Sequence, residues 1–190
     1  MIAILDYGSG NVNSVKNALS YLGKDSIVTS DENEILKADK VIFPGVGAFG
    51  DVMKELRKRN LDKAIKNFIR SKKPFLGICI GLQVLFEESE ESPNVKGLGI
   101  FKGNVLRFKQ GKVPQIGWNK IKSKSAGNGY AYFVNSYYAA PDDKKIIEST
   151  SDYYINFTAA VKKDNVFATQ FHPEKSGKFG LEILRGWLEC

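Results

Sequence analysis

Cys79 is the residue of this chain best suited to act as a nucleophile. It lies in the stretch "PFLGICIGLQVLFEESEE", where an apolar run ends and a helical pattern begins. The segment Gly77-Ile78-Cys79-Ile80-Gly81 has the form of a nucleophile elbow, a sharp strand-to-helix turn in which glycines permit close backbone packing. A helix that begins after Cys79 would favour the thiolate through its partial positive charge. The alternative is a small buried residue that fills space, since free cysteine is among the most buried residue types.

A base for such a nucleophile is available in His172, the one histidine of the chain, within "ATQFHPEKS". It follows the strand-like run "VFATQF", and sites in open α/β sheets form where strands end at their carboxyl side. Glu174 lies two residues further on, so in an extended segment it points the same way and can orient the imidazole. No metal is expected, because the cysteines do not accompany this histidine at ligand spacing.

A glycine-rich loop, "FPGVGAFG" at 43–50, is the third chemical element. Glycines after a strand expose backbone N–H groups that can hold a phosphate or an oxyanion. The loop lacks the "GK[ST]" of a phosphate-binding P-loop and does not fit GxGxxG at a helix start. A simple turn is the alternative. Beside a Cys–His–Glu set, the oxyanion role is favoured.

Short apolar runs alternate with helical patterns in the first half of the chain. Strands are predicted at "IAIL" (2–5), "SIVTS", "KVIFPG" (40–45) and "PFLGI". Helices are predicted from apolar residues at helical spacing: Val12, Val15, Leu19 and Leu22 before Gly23; Leu61, Ile65, Phe68 and Ile69; and Leu82, Leu85 and Phe86. This alternation predicts parallel strands covered on both faces.

The second half, from Gly99 onwards, is rich in strand patterns and turns. They are "IFKGNVLRF", "WNKIKSK", "YAYFVNSYYAA", "IIEST", "INFTAAVKKDN" and "VFATQFH", with turns such as "AGNG" that indicate hairpins or a meander. A last helix is predicted from Gly177 to Leu188. No linker separates the halves, so we expect one α/β domain over residues 1–190, a three-layer fold with a mixed, mostly parallel sheet flanked by helices.

Composition narrows the classes of function. The formal net charge is +7, but basic and acidic residues are interleaved, as in "KELRKRNLDKAIK", and no nucleic-acid motif is present. Apolar runs are short, so no membrane span is expected. The opening "MIAILDYGSG" does not resemble a signal peptide, and two cysteines make no disulfide framework. These features predict a cytoplasmic protein that binds neither nucleic acid nor membrane.

The sequence resembles the class I glutamine amidotransferase family, and within it the glutaminase subunits of imidazole glycerol phosphate synthases. The matching stretches are "DYGSGNVNSV", "FPGVGAFGD", "PFLGICIGLQVLFE", "GWN", "YFVNSYYA" and "ATQFHPEKSGKFGL". They follow the family's order from residue 6 to residue 181. The resemblance implies the family's fold, with a flavodoxin-like core.

The resemblance also implies roles for individual residues. Cys79 would attack the side-chain amide of glutamine, His172 would protonate the leaving ammonia, and Glu174 would complete the triad. The remaining positions that match the family's oxyanion loop and glutamine pocket are Gly45, Val46, Gly47, Gln83, Ser136 and Tyr137. No cofactor is implied.

A partner is implied as well, a (β/α)8-barrel synthase subunit that receives ammonia through an internal channel. The pair would form imidazole glycerol phosphate and AICAR in histidine biosynthesis. Tyr132 and Lys175 match positions near that heterodimer interface, and the surplus positive charge would contribute to docking.

Two positions depart from the family's pattern. Relatives commonly read "HMGWN" and "FVHSY", whereas this chain has Gln115 and Asn135 in place of the two histidines. Neither belongs to the triad, but the departure leaves open a paralogous subunit that supplies ammonia for amidation of a surface sugar. Two other classes also stay open: a catalytically inactive module with this fold, which the intact triad disfavours, and a cysteine peptidase, which Gln83 and "PGVGAFGD" disfavour.

Overall fold

The structure, a computed structural model, describes residues 1–8 and 11–190. Ser9 and Gly10 of the motif "DYGSGNVNSV" lie outside the described residues. Within these ranges the strands are β1 Ile2–Leu5, β2 Ser26–Thr29, β3 Lys40–Phe43, β4 Phe75–Ile78, β5 Glu88–Ser89, β6 Gly103–Arg107, β7 Gln115–Ser123, β8 Asn128–Asn135, β9 Tyr137–Pro141, β10 Ile147–Tyr153, β11 Ile155–Lys163 and β12 Val166–Thr169. The α-helices are α1 Val12–Tyr21, α2 Glu32–Lys37, α3 Phe49–Lys58, α4 Leu61–Arg70, α5 Ile80–Gln83 and α6 Gly177–Leu188.

The described strands form a mixed sheet, as predicted. Its parallel part has the order β2-β1-β3-β4-β12. Every residue of β1 and β4 is buried, which is why these strands read as continuous apolar runs rather than as alternating ones. The four predicted strands of the first half and the final helix, Gly177–Leu188, are confirmed.

Two helical layers cover the parallel strands, so the three-layer prediction is confirmed. Ala3 and Leu5 of β1 belong to a cluster with residues of α2, α3 and α4. The alternate residues Ile2 and Ile4 pack with α1 and α6 on the opposite face. Successive side chains of a strand point to opposite faces, so one apolar run supplies both interfaces.

The sheet continues beyond β12 with antiparallel strands in the order β12-β11-β10-β7-β8, and β9, β6 and β5 branch from β11. An aromatic cluster packs beneath this part and reaches Ile183 of α6. Phe157 is at its centre, with ring centroids 5.1 Å from Phe108 and 5.5 Å from Phe133. The hairpin predicted at "AGNG" is confirmed as β7–β8.

The helix predicted from Leu82, Leu85 and Phe86 is wrong in length. It ends at Gln83. The carbonyls that a longer helix would use accept instead from a returning segment: Leu98 N donates to Val84 O at 2.7 Å and Ile100 N to Leu85 O at 2.8 Å. Leu85 and Phe86 are buried, as their apolar character requires, but in a turn.

The run "YAYFVNSYYAA" is two strands rather than one. β8 pairs with β7, whereas β9 pairs with β6 and touches β11. The chain changes partners at Ser136, whose carbonyl accepts from Phe108 N at 3.1 Å. No glycine or proline interrupts this run, so its sequence alone does not reveal the change of partner.

The sequence reading did not predict α2 and α3. For α2 a local signal exists, because Asp31 caps it by accepting from Asn33 N at 2.8 Å and Glu34 N at 3.0 Å. For α3 the caps come from far along the chain: Phe49 N donates to Glu91 Oε2 and Gly50 N to Ser92 Oγ.

Candidate active site

Cys79 occupies a strained turn between β4 and α5. Its φ of 55° and ψ of −106° are rare for a residue with a side chain, and such strain costs about 1–3 kcal/mol. The turn is held by a hydrogen bond from Cys79 N to Thr169 O at 2.7 Å. A Cβ on Gly81 would lie 2.1 Å from Phe43 O, and one on Gly77 would lie 2.7 Å from Gly81 O. The glycines on either side of the cysteine are therefore required by close backbone approach.

The helix after Cys79 is too short to give the dipole effect that the sequence suggested. The α5 helix has four residues, Ile80–Gln83, and a single turn carries only a small aligned dipole. Other groups must stabilise negative charge that develops on Cys79, and the structure places the first such group close by.

The first group is His172, which is fully buried. His172 follows the end of β12, and Cys79 follows the end of β4. These neighbouring strands are parallel, with Thr169 paired to Ile78. The His172 backbone N donates to Tyr132 O at 3.0 Å. Two residues that are distant in sequence thus meet at one sheet edge.

Glu174 orients this histidine through a hydrogen bond of 2.8 Å between Nδ1 and Oε1. The Glu174 side chain is 0% exposed, so the pair is shielded from water. Asn11 Nδ2 also reaches Glu174 Oε1 at 3.3 Å, and Ser14 Oγ donates to Asn11 Oδ1 at 3.0 Å. The sequence reading missed Asn11 because nothing local links it to a glutamate 163 positions away.

The second ring nitrogen, Nε2, is buried and makes no hydrogen bond of standard geometry to a described residue. The Cys79 side chain is nevertheless close enough to influence the pKa of the ring. Burial alone would lower the pKa of His172. Hydrogen bonding and charge from Cys79 and Glu174 outweigh burial and raise the pKa from 6.5 to about 10. At neutral pH the imidazole is therefore protonated. The stability that its charged form contributes is complete below about pH 6.5 and is lost as pH rises to about 10.

The loop Pro44–Gly47 borders the nucleophile. Gly47 has a φ of +125°, a conformation that favours glycine. Gly45, within the loop, packs against Tyr7, and a Cβ on Gly45 would lie 1.9 Å from Tyr7 Oη. Tyr7 Oη donates to Val46 O at 3.0 Å and so fixes the loop from beneath. The Tyr7 contact is a feature that the sequence reading missed.

A cavity of about 280 Å³ opens beside Cys79. Its walls include most of the predicted pocket residues, namely Val46, Gly47, Gln83, Ser136 and Tyr137. Glu91, which was not predicted, lines it too, with Oε2 held by Phe49 N at 2.7 Å. A fixed carboxylate at this wall can accept an ammonium group. The cavity is of a size that suits a small metabolite.

The predicted interface residues lie away from this cavity. Lys175 is exposed, Tyr132 is half-buried on β8, and the 3-10 helix Pro173–Lys175 packs against that strand. Tyr132 belongs to an apolar surface, the hairpin face, made of outward side chains of β7 and β8: Ile116, Trp118, Tyr130, Tyr132 and Val134.

Three large apolar side chains of the hairpin face are exposed. Ile116, Trp118 and Tyr130 are 63%, 53% and 60% exposed. Trp118 and Tyr132 are paired across the strands, with ring centroids 6.2 Å apart. Contiguous exposed apolar side chains of this kind mark interaction sites.

The two positions that depart from the family's pattern face each other across the hairpin. Gln115 pairs with Asn135, and both are buried. Asn135 Nδ2 donates to Tyr137 O at 2.9 Å, whereas the Gln115 amide has no partner among the described residues. Only Asn135 of the two lines the cavity.

The arrangement is suited to nucleophilic attack by sulfur on a carbonyl-type centre, with proton transfer by a buried imidazole and a backbone loop near the nucleophile. Within the described ranges, no group of three or more His, Cys, Asp or Glu residues could hold a metal ion. No helix there is long and apolar enough to cross a membrane.

Comparison with known proteins places this geometry in a family. The family model "Glutamine amidotransferase class-I" matches residues 3–189. A Methanothermobacter thermautotrophicus protein named imidazole glycerol phosphate synthase subunit HisH is 48% identical, with 100% of this chain and 98% of that protein covered. The Methanococcus maripaludis subunit HisH 1 is 45% identical, with 100% and 99% covered.

Solved structures support the fold alone, since their sequence identity is low. A glutamine amidotransferase crystal structure gives a TM-score of 0.82 at 19% identity, covering 99% of this chain and 97% of that one. The PurLQS structure from Thermotoga maritima gives 0.78 at 19% identity, covering 99% and 97%.

The single histidine allows a direct test of the site's electrostatics. We expect the 15N shifts of His172 to report a protonated ring at pH 8, with a midpoint near 10. In Cys79→Ala the midpoint should fall, because burial is then opposed only by Glu174. A neutral ring at pH 8 in the unaltered protein would contradict the charge assignment.

Proposed function

The chain belongs to the class I glutamine amidotransferase family, and from that premise we propose that it hydrolyses glutamine to glutamate and ammonia. The observation that carries the proposal is the meeting of Cys79 with the His172–Glu174 pair at the ends of two parallel strands, beside a cavity of about 280 Å³. We further propose that residues 1–190 act as one catalytic domain.

The reaction begins with attack of the Cys79 thiolate on the side-chain amide carbon of glutamine. A C–S bond forms and the carbonyl oxygen becomes an oxyanion, which N–H groups of the loop Gly45–Gly47 stabilise. One such donor is worth about 3–4 kcal/mol. Protonated His172 gives its proton to the amide nitrogen, the C–N bond breaks and ammonia leaves.

The second half-reaction releases glutamate. Neutral His172 takes a proton from water, the water oxygen attacks the glutamyl thioester, and the C–S bond breaks to regenerate the Cys79 thiolate beside protonated His172. Glu174 holds the imidazole in one orientation through both steps, since its carboxylate accepts from Nδ1 at 2.8 Å. The buried pair thus serves as acid first and as base second.

Glutamine fits the chemistry of the cavity walls. Glu91 supplies negative charge for the α-ammonium group. Gln83, Ser136 and Tyr137 supply amide, hydroxyl and backbone groups for the rest of the amino acid. The cavity volume of about 280 Å³ suits a single amino acid better than an extended peptide.

We propose that the ammonia passes to a (β/α)8-barrel partner and that the pair forms imidazole glycerol phosphate and AICAR in the cytoplasm. The full-length similarity to two proteins named as subunits of imidazole glycerol phosphate synthase supports this pathway. The sugar-amidating alternative is supported only by Gln115 and Asn135. A barrel-dependent glutaminase that ignores the imidazole precursor nucleotide would favour the alternative.

The hairpin face is the proposed docking surface. Its aromatic side chains have the character of interface anchors, which are enriched in Trp and Tyr. It is also joined to the catalytic base, because Tyr132 of β8 accepts from the His172 backbone N at 3.0 Å. Docking on β8 therefore acts on the strand that positions His172.

Removal of the nucleophile tests the reaction. Cys79→Ala should lower glutamine-dependent glutamate release on the order of 10⁴-fold or more, as loss of a nucleophile does in other triads. The fold and partner binding should persist, and ammonium salts should still feed the synthase. Cys190→Ser is the matched control and should retain activity. Glutamine-dependent turnover by Cys79→Ala would exclude this cysteine as the nucleophile.

Truncation of the hairpin face tests the partner. Trp118→Ala should weaken the complex with the barrel subunit about 30-fold or more, the cost of a typical hot spot of 2 kcal/mol. Val28→Ala is the control and should leave the Kd unchanged. Val28 is an apolar residue, 36% exposed, on β2, which lies at the end of the sheet opposite to β8. Titration by calorimetry measures both. Absence of any complex with the unaltered chain would refute the pairing.

A further inference from the structure

Gln170 has a fully buried amide side chain and takes no part in the reaction steps assigned to the triad. It lies between the end of β12 and His172, and its backbone N donates to Ala159 O at 2.7 Å. Its side chain reaches the nucleophile: Nε2 donates to Cys79 Sγ at 3.6 Å, within the range for a sulfur acceptor. Its other end, Oε1, accepts from Gln83 Nε2 at 3.1 Å.

The orientation of these two amides is fixed by a backbone carbonyl. Gln83 Nε2 also donates to Tyr137 O at 3.2 Å, and a carbonyl oxygen can only accept. The side-chain nitrogen of Gln83, Nε2, must therefore face the Tyr137 carbonyl. It meets an oxygen on Gln170, which leaves the Gln170 NH₂ group for the sulfur. Reversal of either amide would set two donors or two acceptors against each other.

We propose that Gln170 is a second partner of the nucleophile, a donor that holds the Cys79 sulfur as thiolate, and that Gln83 and the Tyr137 carbonyl keep this donor aimed. This role for Gln170 adds to the proposed glutaminase function, and its importance for catalysis rests on that function. A thiol is a weak acceptor, whereas an ionised sulfur accepts a strong, charge-assisted hydrogen bond. The donor therefore stabilises the thiolate more than the thiol.

The need for such a donor follows from the surroundings of the sulfur. The one-turn helix α5 contributes little positive charge, and Ile80 and Val46 are apolar neighbours. The titratable groups around the sulfur are His172 with Glu174 behind it, and Glu91 and Tyr137 across the cavity. Of these only His172 carries positive charge, and its proton is transferred during the reaction.

When His172 gives up its proton, the sulfur is becoming part of a thioester. When the thioester is cleaved, negative charge returns to sulfur while His172 is regaining a proton from water. A neutral amide donor needs no proton transfer of its own, so it stabilises the sulfur at both moments. Gln170 is suited to this because it is fixed at both ends and excluded from water.

The test measures thiolate formation directly, in a Cys190→Ser background that leaves one thiol. The rate of Cys79 alkylation by iodoacetamide is followed against pH for the unaltered site, Gln170→Met and Gln83→Met. Gln170→Met keeps the length of the side chain but removes the donor. In this variant we expect the pH midpoint of alkylation to rise by about one unit. At a fixed pH below both midpoints, alkylation should therefore be about tenfold slower. Gln83→Met, which frees the Gln170 amide to turn, should shift the midpoint in the same direction by less.

Gln115→Met is the matched control, since it replaces another buried amide whose atoms have no partner among the described residues. Its alkylation midpoint should equal that of the background. Circular dichroism checks that each variant is folded. If Gln170→Met fails to fold, Gln83→Met still decides the question. Folded variants at both positions with unshifted midpoints would overturn the proposal.

A glutaminase assay separates this inference from the proposed function. Gln170→Met should show a roughly tenfold lower kcat at a pH below both alkylation midpoints, with little change in KM, and the deficit should shrink as pH rises. A merely structural role would lower activity equally at all pH values. A shifted alkylation midpoint without any glutamine hydrolysis by the unaltered protein and its partner would refute the function while leaving the donor to sulfur intact.

Discussion

The parallel pairing of β4 with β12 is the constraint on which the site depends. Because Ile78 pairs with Thr169, the residues that follow these strands leave the sheet side by side. Cys79 N donates to Thr169 O across this junction, so the nucleophile is tied to the strand that delivers the base. Cys79 and Gln170 are 91 positions apart in sequence, yet Gln170 Nε2 lies 3.6 Å from Cys79 Sγ.

The buried charge at this junction determines the arrangement around it. An imidazolium in the interior is costly unless it is paired and hydrogen-bonded. Glu174 provides the charge, Asn11 donates to Glu174 and accepts from Ser14, and the Gln170 amide, held by Gln83, donates to the sulfur. Residues of α1 and α5, and of the segments that precede α1 and follow β12, thus form a site that no single element could build.

The sequence predicted the first four strands, the final helix, the elbow and the triad candidates, because each has a strong local signal. Apolar runs bounded by glycines identify buried strands, and a lone histidine beside a carboxylate is conspicuous. The length of α5, the caps of α3 and the roles of Asn11, Glu91 and Gln170 depend on contacts across many positions. Leu98 and Ile100 donate to the carbonyls of Val84 and Leu85, which a longer α5 would use, and no local pattern predicts this.

The most direct test of the central claim is covalent trapping with a glutamine analogue whose side chain ends in a diazoketone. The terminal carbon takes a proton, sulfur attacks it, nitrogen leaves, and a stable thioether remains on the protein. Intact-mass and peptide analysis should find one adduct per chain, on Cys79, that excess glutamine suppresses and His172→Asn slows. An adduct on Cys190 alone, or none in the presence of the partner, would contradict a glutaminase that acts through Cys79.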